Sequence, residues 1–235
     1  MISIRRCAPA LLAATLWLLP AGASGANEDG LQPGSRIPTE AIDRHVNERD
    51  DGAQLSQTMQ ILVEDKRGYR RERTARFFRR YGDEVKQSVI HYVAPANVRG
   101  TAFLTWDWAS AQRDDDQWLY LPELRRVRRI SATERGTFFL GTDFTYENIK
   151  NETKIANEDY DWTFLGWQTG DNCECIILEG AAKSDRIAKQ LRHKIVLRWV
   201  DPETWLTRRL EYWSEDGDRI RTITAHDIRE VQGIW

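Results

Sequence analysis

The residue types that carry out chemistry are present in this chain, but their spacing assembles little. Four histidines, His45, His91, His193 and His226, are scattered, and none stands beside another at ligand spacing. A metal centre gathers three or four such groups through short, regular separations, so no metal is expected. Asp114-Asp115-Asp116 is a dense acidic run. It lacks the glycine and distal glutamate of a calcium loop and reads as a solvated hairpin tip. No G-x-S-x-G elbow, zinc-protease helix motif, phosphate loop or dinucleotide fingerprint occurs. A catalytic set drawn from distant positions would leave no such mark, so a lipid-acting hydrolase stays a minor alternative. The primary expectation is a protein that is not an enzyme and holds no cofactor.

Cys173 and Cys175 are spaced i, i+2 in an expected strand, which sets them on one face. Extended backbone would hold their Cα atoms roughly 6.5–7 Å apart, the outer limit for a disulfide. A reduced, packed pair and a strained local disulfide both stay open. Arginine doublets (Arg70-Arg71, Arg79-Arg80, Arg125-Arg126, Arg128-Arg129) are interleaved with acids and read as solvated strand faces. The chain has 34 Lys and Arg against 36 Asp and Glu, a net charge of −2. That balance does not favour a polyanion, and nucleic acid is not an expected partner.

The aromatic load is more informative. Of ten tryptophans, only Trp17 lies near the start. Several of the rest fall in expected strands, where aromatic residues pack well across neighbours. A curved sheet can also enclose an apolar cavity lined by such rings. Each methylene buried there is worth roughly 0.8 kcal/mol, so an acyl chain of about sixteen carbons gains on the order of 10 kcal/mol. Strand parity and size nominate Met59, Ile61, Phe103, Trp106, Trp118, Tyr120, Phe144 and Trp199 as the lining.

The elements that must position these residues follow from the chain's order. Residues 1–26 read as a secretion signal. Arg5-Arg6 is followed by the apolar Ala8 to Pro20 stretch and by small-residue cleavage sites at Ala21-Gly22-Ala23 and Ser24-Gly25-Ala26. The apolar run is too short to span a bilayer, so export to the periplasm, rather than membrane integration, is expected. Without Arg5 and Arg6 the net charge becomes −4. Residues 27–37 form a polar lead-in. Residues 38–235 suit one domain, and the close on Val231-Gln232-Gly233-Ile234-Trp235 is read as a domain cut short at its C-terminus.

Thr39 reads as the N-cap of a short helix, with Ile42 and Val46 on one apolar side. From Ser56 onward, alternating runs punctuated by turn residues predict about ten antiparallel strands and no βα units. The expectation is a mainly β (α+β) chain: a curved antiparallel sheet forming an incomplete barrel, capped by short helices over an apolar cavity. Gly136–Lys150 and Ala181–Arg192 resist the strand pattern and are expected to cover one side.

Specific strings then carry a resemblance. Pro95-Ala96-Asn97-Val98-Arg99-Gly100-Thr101-Ala102-Phe103-Leu104 comes first, followed by Trp118-Leu119-Tyr120-Leu121-Pro122 and Arg125-Arg126-Val127-Arg128-Arg129-Ile130. Gly141-Thr142-Asp143-Phe144-Thr145-Tyr146 lies behind them. From about residue 38 to the end, the chain resembles the LolA-like family of exported proteins, the "outer membrane lipoprotein-sorting protein" group. Thr142 and the neighbourhood of Asn148 depart mildly from that pattern. The resemblance implies an incomplete barrel over a hydrophobic cavity and an acyl lipid or lipoprotein as partner. A sensor or accessory module docking on an inner-membrane transporter is the alternative. Asp143 lies in an apolar stretch, and a buried carboxylate needs a partner. A structural ion pair with Arg126 or Arg129 is expected.

Overall fold

A computed structural model describes residues 34–65, 67–110, 112–146, 149, 159–170 and 173–235, with Gln190 described through its backbone only. The expected secretion signal and all but the end of the lead-in lie outside these residues. Helix α1 (Thr39–Glu48) comes first, followed by β1 (Gln54–Glu64), β2 (Arg70–Arg80), β3 (Val85–Ala94), β4 (Ala102–Trp108), β5 (Asp116–Leu121) and β6 (Arg126–Arg129). A 3-10 turn at Ala132–Glu134 leads away from this sheet. β7 (Tyr160–Gly170), β8 (Cys173–Ala182), α2 (Asp185–Leu191), β9 (Ile195–Val200), β10 (Thr207–Trp213) and β11 (Arg219–Thr224) follow.

The strands form two antiparallel sheets, β1-β2-β3-β4-β5-β6 and β11-β10-β9-β8-β7. The mainly β, incomplete-barrel reading holds. One correction applies: the meander is divided into two sheets rather than drawn as one curved sheet. The described part of the connection after β6 leaves the ladder because its rings pack onto the face of the sheet, as set out below.

Local chemistry explains the turns. Between β1 and β2 the Asp65 carboxylate accepts from the Arg67 and Tyr69 amides at 2.9 and 3.0 Å, an Asx-type closure. Gly68 there sits at φ 79°, a region glycine enters without steric cost. Helix α1 starts one residue earlier than its polar residue implies. Pro38 is the N-cap and accepts from the Ala41 and Ile42 amides, while no side chain caps the end. Thr39 is the first helical residue. Ile42 and Val46 are buried against Ile176, Leu178 and Val200 of the second sheet.

Two further sequence readings change. β7 has no counterpart among the expected strands. Its alternation is broken by a bulge between Phe164 and Gly166, where Gly166 takes φ 138°. The extra residue moves Trp167 onto the face that Phe164 occupies and so masks the period of two. Cys173 and Cys175 are joined in a disulfide with Cα atoms 5.3 Å apart. That is closer than extended geometry implies and decides between the two open readings.

Candidate functional site

Alternation gives the first sheet an inner face that is mostly apolar. Phe77, Ile90, Phe103 and Leu119 stand in one row across β2 to β5, and all four are buried. Ala75 and Tyr92 stand beside one another in the next row. At the edge, Met59 faces Ala75 and Ile61 faces Arg73 from β1, both half-buried and packed against this cluster. A buried polar row flanks the apolar one. It consists of Arg79, Ser88, Thr105 and Gln117, again aligned strand by strand.

The segment after the 3-10 turn covers this face. Phe138 and Thr145 form a bridge, the Phe139 amide donates to the Phe144 carbonyl at 2.6 Å, and the Thr142 hydroxyl donates to the Phe139 carbonyl at 2.7 Å. Leu140 and Gly141 reverse the chain at φ 46° and 70°. A leucine in the left-handed region is strained by its Cβ, so the surroundings must hold it there. They do so through packing and through two arginines.

Phe139 and Tyr146 stand 5.0 and 5.3 Å from the Phe103 ring and 5.3 Å from each other, in tilted and edge-on contacts that aromatic quadrupoles favour. Arg73 on β2 donates from Nη1 to the Leu140 carbonyl at 2.7 Å, and Arg221 on β11 donates from Nη1 to the Asp143 carbonyl at 3.0 Å. One guanidinium from each sheet therefore grips the same loop by its main chain.

Arg221 belongs to a buried polar cluster. Its guanidinium lies over the Tyr212 ring at 4.3 Å and the Phe144 ring at 4.6 Å. His193 stands beside it, with Nδ1 3.2 Å from Arg221 Nη2, 2.9 Å from the Leu191 carbonyl, and Nε2 2.6 Å from the Tyr160 hydroxyl. The two shorter contacts assign the tautomer: Nδ1–H donates to Leu191 and the Tyr160 hydroxyl donates to Nε2. Burial first, and the Arg221 charge second, push the His193 pKa down to about 4. Burial likewise raises Tyr160 and Tyr212 and lowers Arg221. Among the described residues no group of three or more His, Cys, Asp or Glu could hold a metal ion.

The register divides the eight nominated lining residues. Phe103 is buried on the inner face, with Met59, Ile61 and Phe144 packed around its cluster. Trp106, Trp118 and Tyr120 alternate onto the outer face, where Trp106 meets Trp108 and Trp118 edge-on at 5.7 and 5.5 Å. Trp199 lies on the outer face of the second sheet, donating to Gln168 at 2.9 Å with Arg209 over its ring. Size alone could not separate these faces.

The expected ion pair at Asp143 is replaced. Asp143 is exposed, Arg129 pairs with Asp116, and Arg126 is exposed on the edge strand. An exposed carboxylate needs no buried partner, and the β5–β6 register sets Arg129 opposite Trp118, next to Asp116 on the outer face. Arg73 was legible as an inner position of β2. Arg221, His193 and Tyr160 come together only through tertiary contact and left no mark in the sequence.

An antiparallel incomplete barrel with an apolar inner face, covered by its own connecting loop, defines a LolA-like fold. Residues 84–235 match the model of a family described as "-like: Uncharacterized protein", and the chain belongs to that family. Solved structures share the architecture. A Vibrio parahaemolyticus protein described as an outer membrane lipoprotein-sorting protein domain has a TM-score of 0.63 at 23% identity, covering 83% of this chain and 80% of its own. A DUF1329 family protein from Desulfovibrio piger has a TM-score of 0.63 at 25% identity, with the same coverage of 83% and 80%. A LolA superfamily protein from Nitrosomonas europaea has a TM-score of 0.49 at 18% identity, covering 85% and 82%. No curated protein matches the chain. No helix among the described residues is long and apolar enough to cross a membrane.

Proposed function

We propose that this protein is a periplasmic carrier that takes an acyl lipid, or the acyl chains of a lipoprotein, onto the inner face of its first sheet for transfer toward the outer membrane. Residues 1–26 would be the cleaved secretion signal and 38–235 the carrier domain. The Cys173–Cys175 disulfide accords with an oxidising compartment.

One observation carries the reading. Among the described residues, the apolar row through Phe103 is covered by the connecting segment through Phe139, Tyr146 and Ile149, whose loop is clamped by two arginines at its carbonyls. Displacing Phe139 and Phe144 exposes apolar surface of the kind an alkyl chain matches. The half-buried Met59 and Ile61 mark the open edge from which a chain would enter. A chain of about sixteen methylenes would gain on the order of 10 kcal/mol, enough to replace the ring contacts that the loop gives up.

A second reading is a sensor or accessory module docking on an inner-membrane transporter. The close packing of Phe103, Phe139 and Tyr146 favours it, because a face filled by the protein's own rings has less need of cargo. Mass spectrometry of protein purified without detergent separates the two. The carrier should yield stoichiometric acyl lipid, lost in a Met59→Asp/Ile61→Asp variant. Repeated recovery of lipid-free protein, together with capture of a membrane transporter, favours the module.

A further inference from the structure

We propose that the β5–β6 hairpin docks this protein on a lipid surface bearing anionic headgroups. The hairpin reads Leu121-Pro122-Glu123-Leu124-Arg125-Arg126-Val127-Arg128-Arg129. Its tip is a fixed turn: the Leu124 amide donates to the Leu121 carbonyl at 3.2 Å and the Arg125 amide to the Pro122 carbonyl at 3.1 Å, with Arg125 at φ 48°. That turn presents Leu124 to solvent at 62% exposure, and Val127 follows at 65%. Tyr120, also exposed, pairs with Val127 across the ladder on the outer face.

The charge around these residues is one-sided. All four arginines of the hairpin are exposed. Arg128 pairs with Glu134 and Arg129 with Asp116. Among the described residues no ion pair holds Arg125 or Arg126, and Glu123 is the one acid in the hairpin itself. β6 is an edge strand, and edge strands often carry charge that blocks pairing with other chains. That role accounts for arginines. It does not account for an exposed leucine before them and an exposed valine between them, which would work against it.

A membrane surface satisfies both. The apolar tip enters the headgroup boundary, the tyrosine ring sits at its polar level, and the arginines meet phosphate oxygens in bidentate contacts. An acidic protein face would match the arginines but leave Leu124 against polar atoms. The proposal does not depend on the cargo reading, since Tyr120 and Val127 lie on the outer face of the first sheet, away from the apolar inner face.

The test is co-sedimentation of the signal-free protein with vesicles of phosphatidylethanolamine and phosphatidylglycerol, against vesicles of phosphatidylcholine alone. Binding to the anionic vesicles that falls as salt is raised is the expected result. An Arg125→Ser/Arg126→Ser variant should partition roughly 25-fold more weakly, at about fivefold per arginine. Leu124→Ser/Val127→Ser should bind severalfold more weakly at any salt concentration. All four positions are exposed, so unchanged thermal unfolding verifies that each variant is folded. The proposal is overturned if the anionic vesicles leave the protein in the supernatant, if neutral vesicles bind it equally, or if the arginine variant binds like the parent. It is also overturned if the variants instead abolish a concentration-dependent dimer, which would make the hairpin a contact between copies.

Discussion

The inner face of the first sheet meets its cover mainly through rings, with buried Arg73 and Arg79 beside them, while the buried face of the second encloses a fully buried arginine. On the first, Phe103, Phe139 and Tyr146 pack ring against ring in one buried cluster. On the second, Arg198 is fully buried, with Nε donating to Thr207 at 2.9 Å and its pKa lowered to about 10 by burial. His193, Tyr160 and Arg221 lie nearby on the same side. The difference decides which half can open. Rings that part lose dispersion and hydrophobic contact, and another apolar group can replace both. A buried hydrogen-bonded network that parts leaves groups unpaired, at a cost of about 1–3 kcal/mol each. On the proposed reading the first sheet exchanges its cover for a ligand once the Arg73 and Arg221 bonds to the loop are given up, and the second stays closed.

The largest effect that probes this contrast is at Phe103. Phe103→Ala should lower the unfolding free energy by about 3–5 kcal/mol, read from denaturant midpoints at constant slope. Its loss removes the ring on which both Phe139 and Tyr146 rest. Added long-chain fatty acid should recover part of that loss in the variant, because a chain fills the space left behind. If alanine costs less than about 1 kcal/mol, the loop does not depend on the rings, and the contrast between the faces fails.

The second sheet is tested by pH. His193 titrates near 6.5 when unfolded and near 4 when folded, so between those values the unfolded chain binds a proton that the native protein refuses. Stability from this group is whole above about pH 6.5, declines as pH falls, and is fully lost by about pH 4, a change on the order of 3 kcal/mol. His193→Asn keeps a donor for the Leu191 carbonyl and does not titrate. Its stability should fall less steeply than that of the parent between pH 6.5 and 4, and parallel curves would show that His193 protonates freely in the fold.

The same contrast explains what the sequence disclosed. Period-two alternation exposed β2 to β5 as strands and set Ala75 and Phe77 on one face of β2, but it did not separate the inner from the outer rows of β3 to β5. It could not tell Phe103 from Trp106, since both are large and both lie in β4, and the face is set by register with neighbouring strands. The bulge at Gly166 erased the pattern of β7. The segment from Gly136 was recognisable as a cover, yet its anchors were not. Arg73 and Arg221 lie 148 positions apart in the numbering, and nothing local to either announces a shared loop. The Asp143 expectation fails because apolar neighbours in sequence do not bury a residue whose side chain faces solvent.

The smallest expected effect concerns the polar row beside the rings. Gln117 is fully buried, and neither its amide nitrogen nor its oxygen has a partner among the described residues. A buried amide left unpaired costs free energy that an apolar side chain of similar volume does not. Gln117→Leu should therefore leave stability unchanged or raise it by about 1 kcal/mol, contrary to the usual sign for a core substitution. Thermal unfolding of the two proteins decides the matter. A loss of more than about 1 kcal/mol would mean that the amide is satisfied in solution. The inner face of the first sheet would then resemble the second in depending on polar contacts, and the division between an exchangeable cover and a fixed one would have to be redrawn.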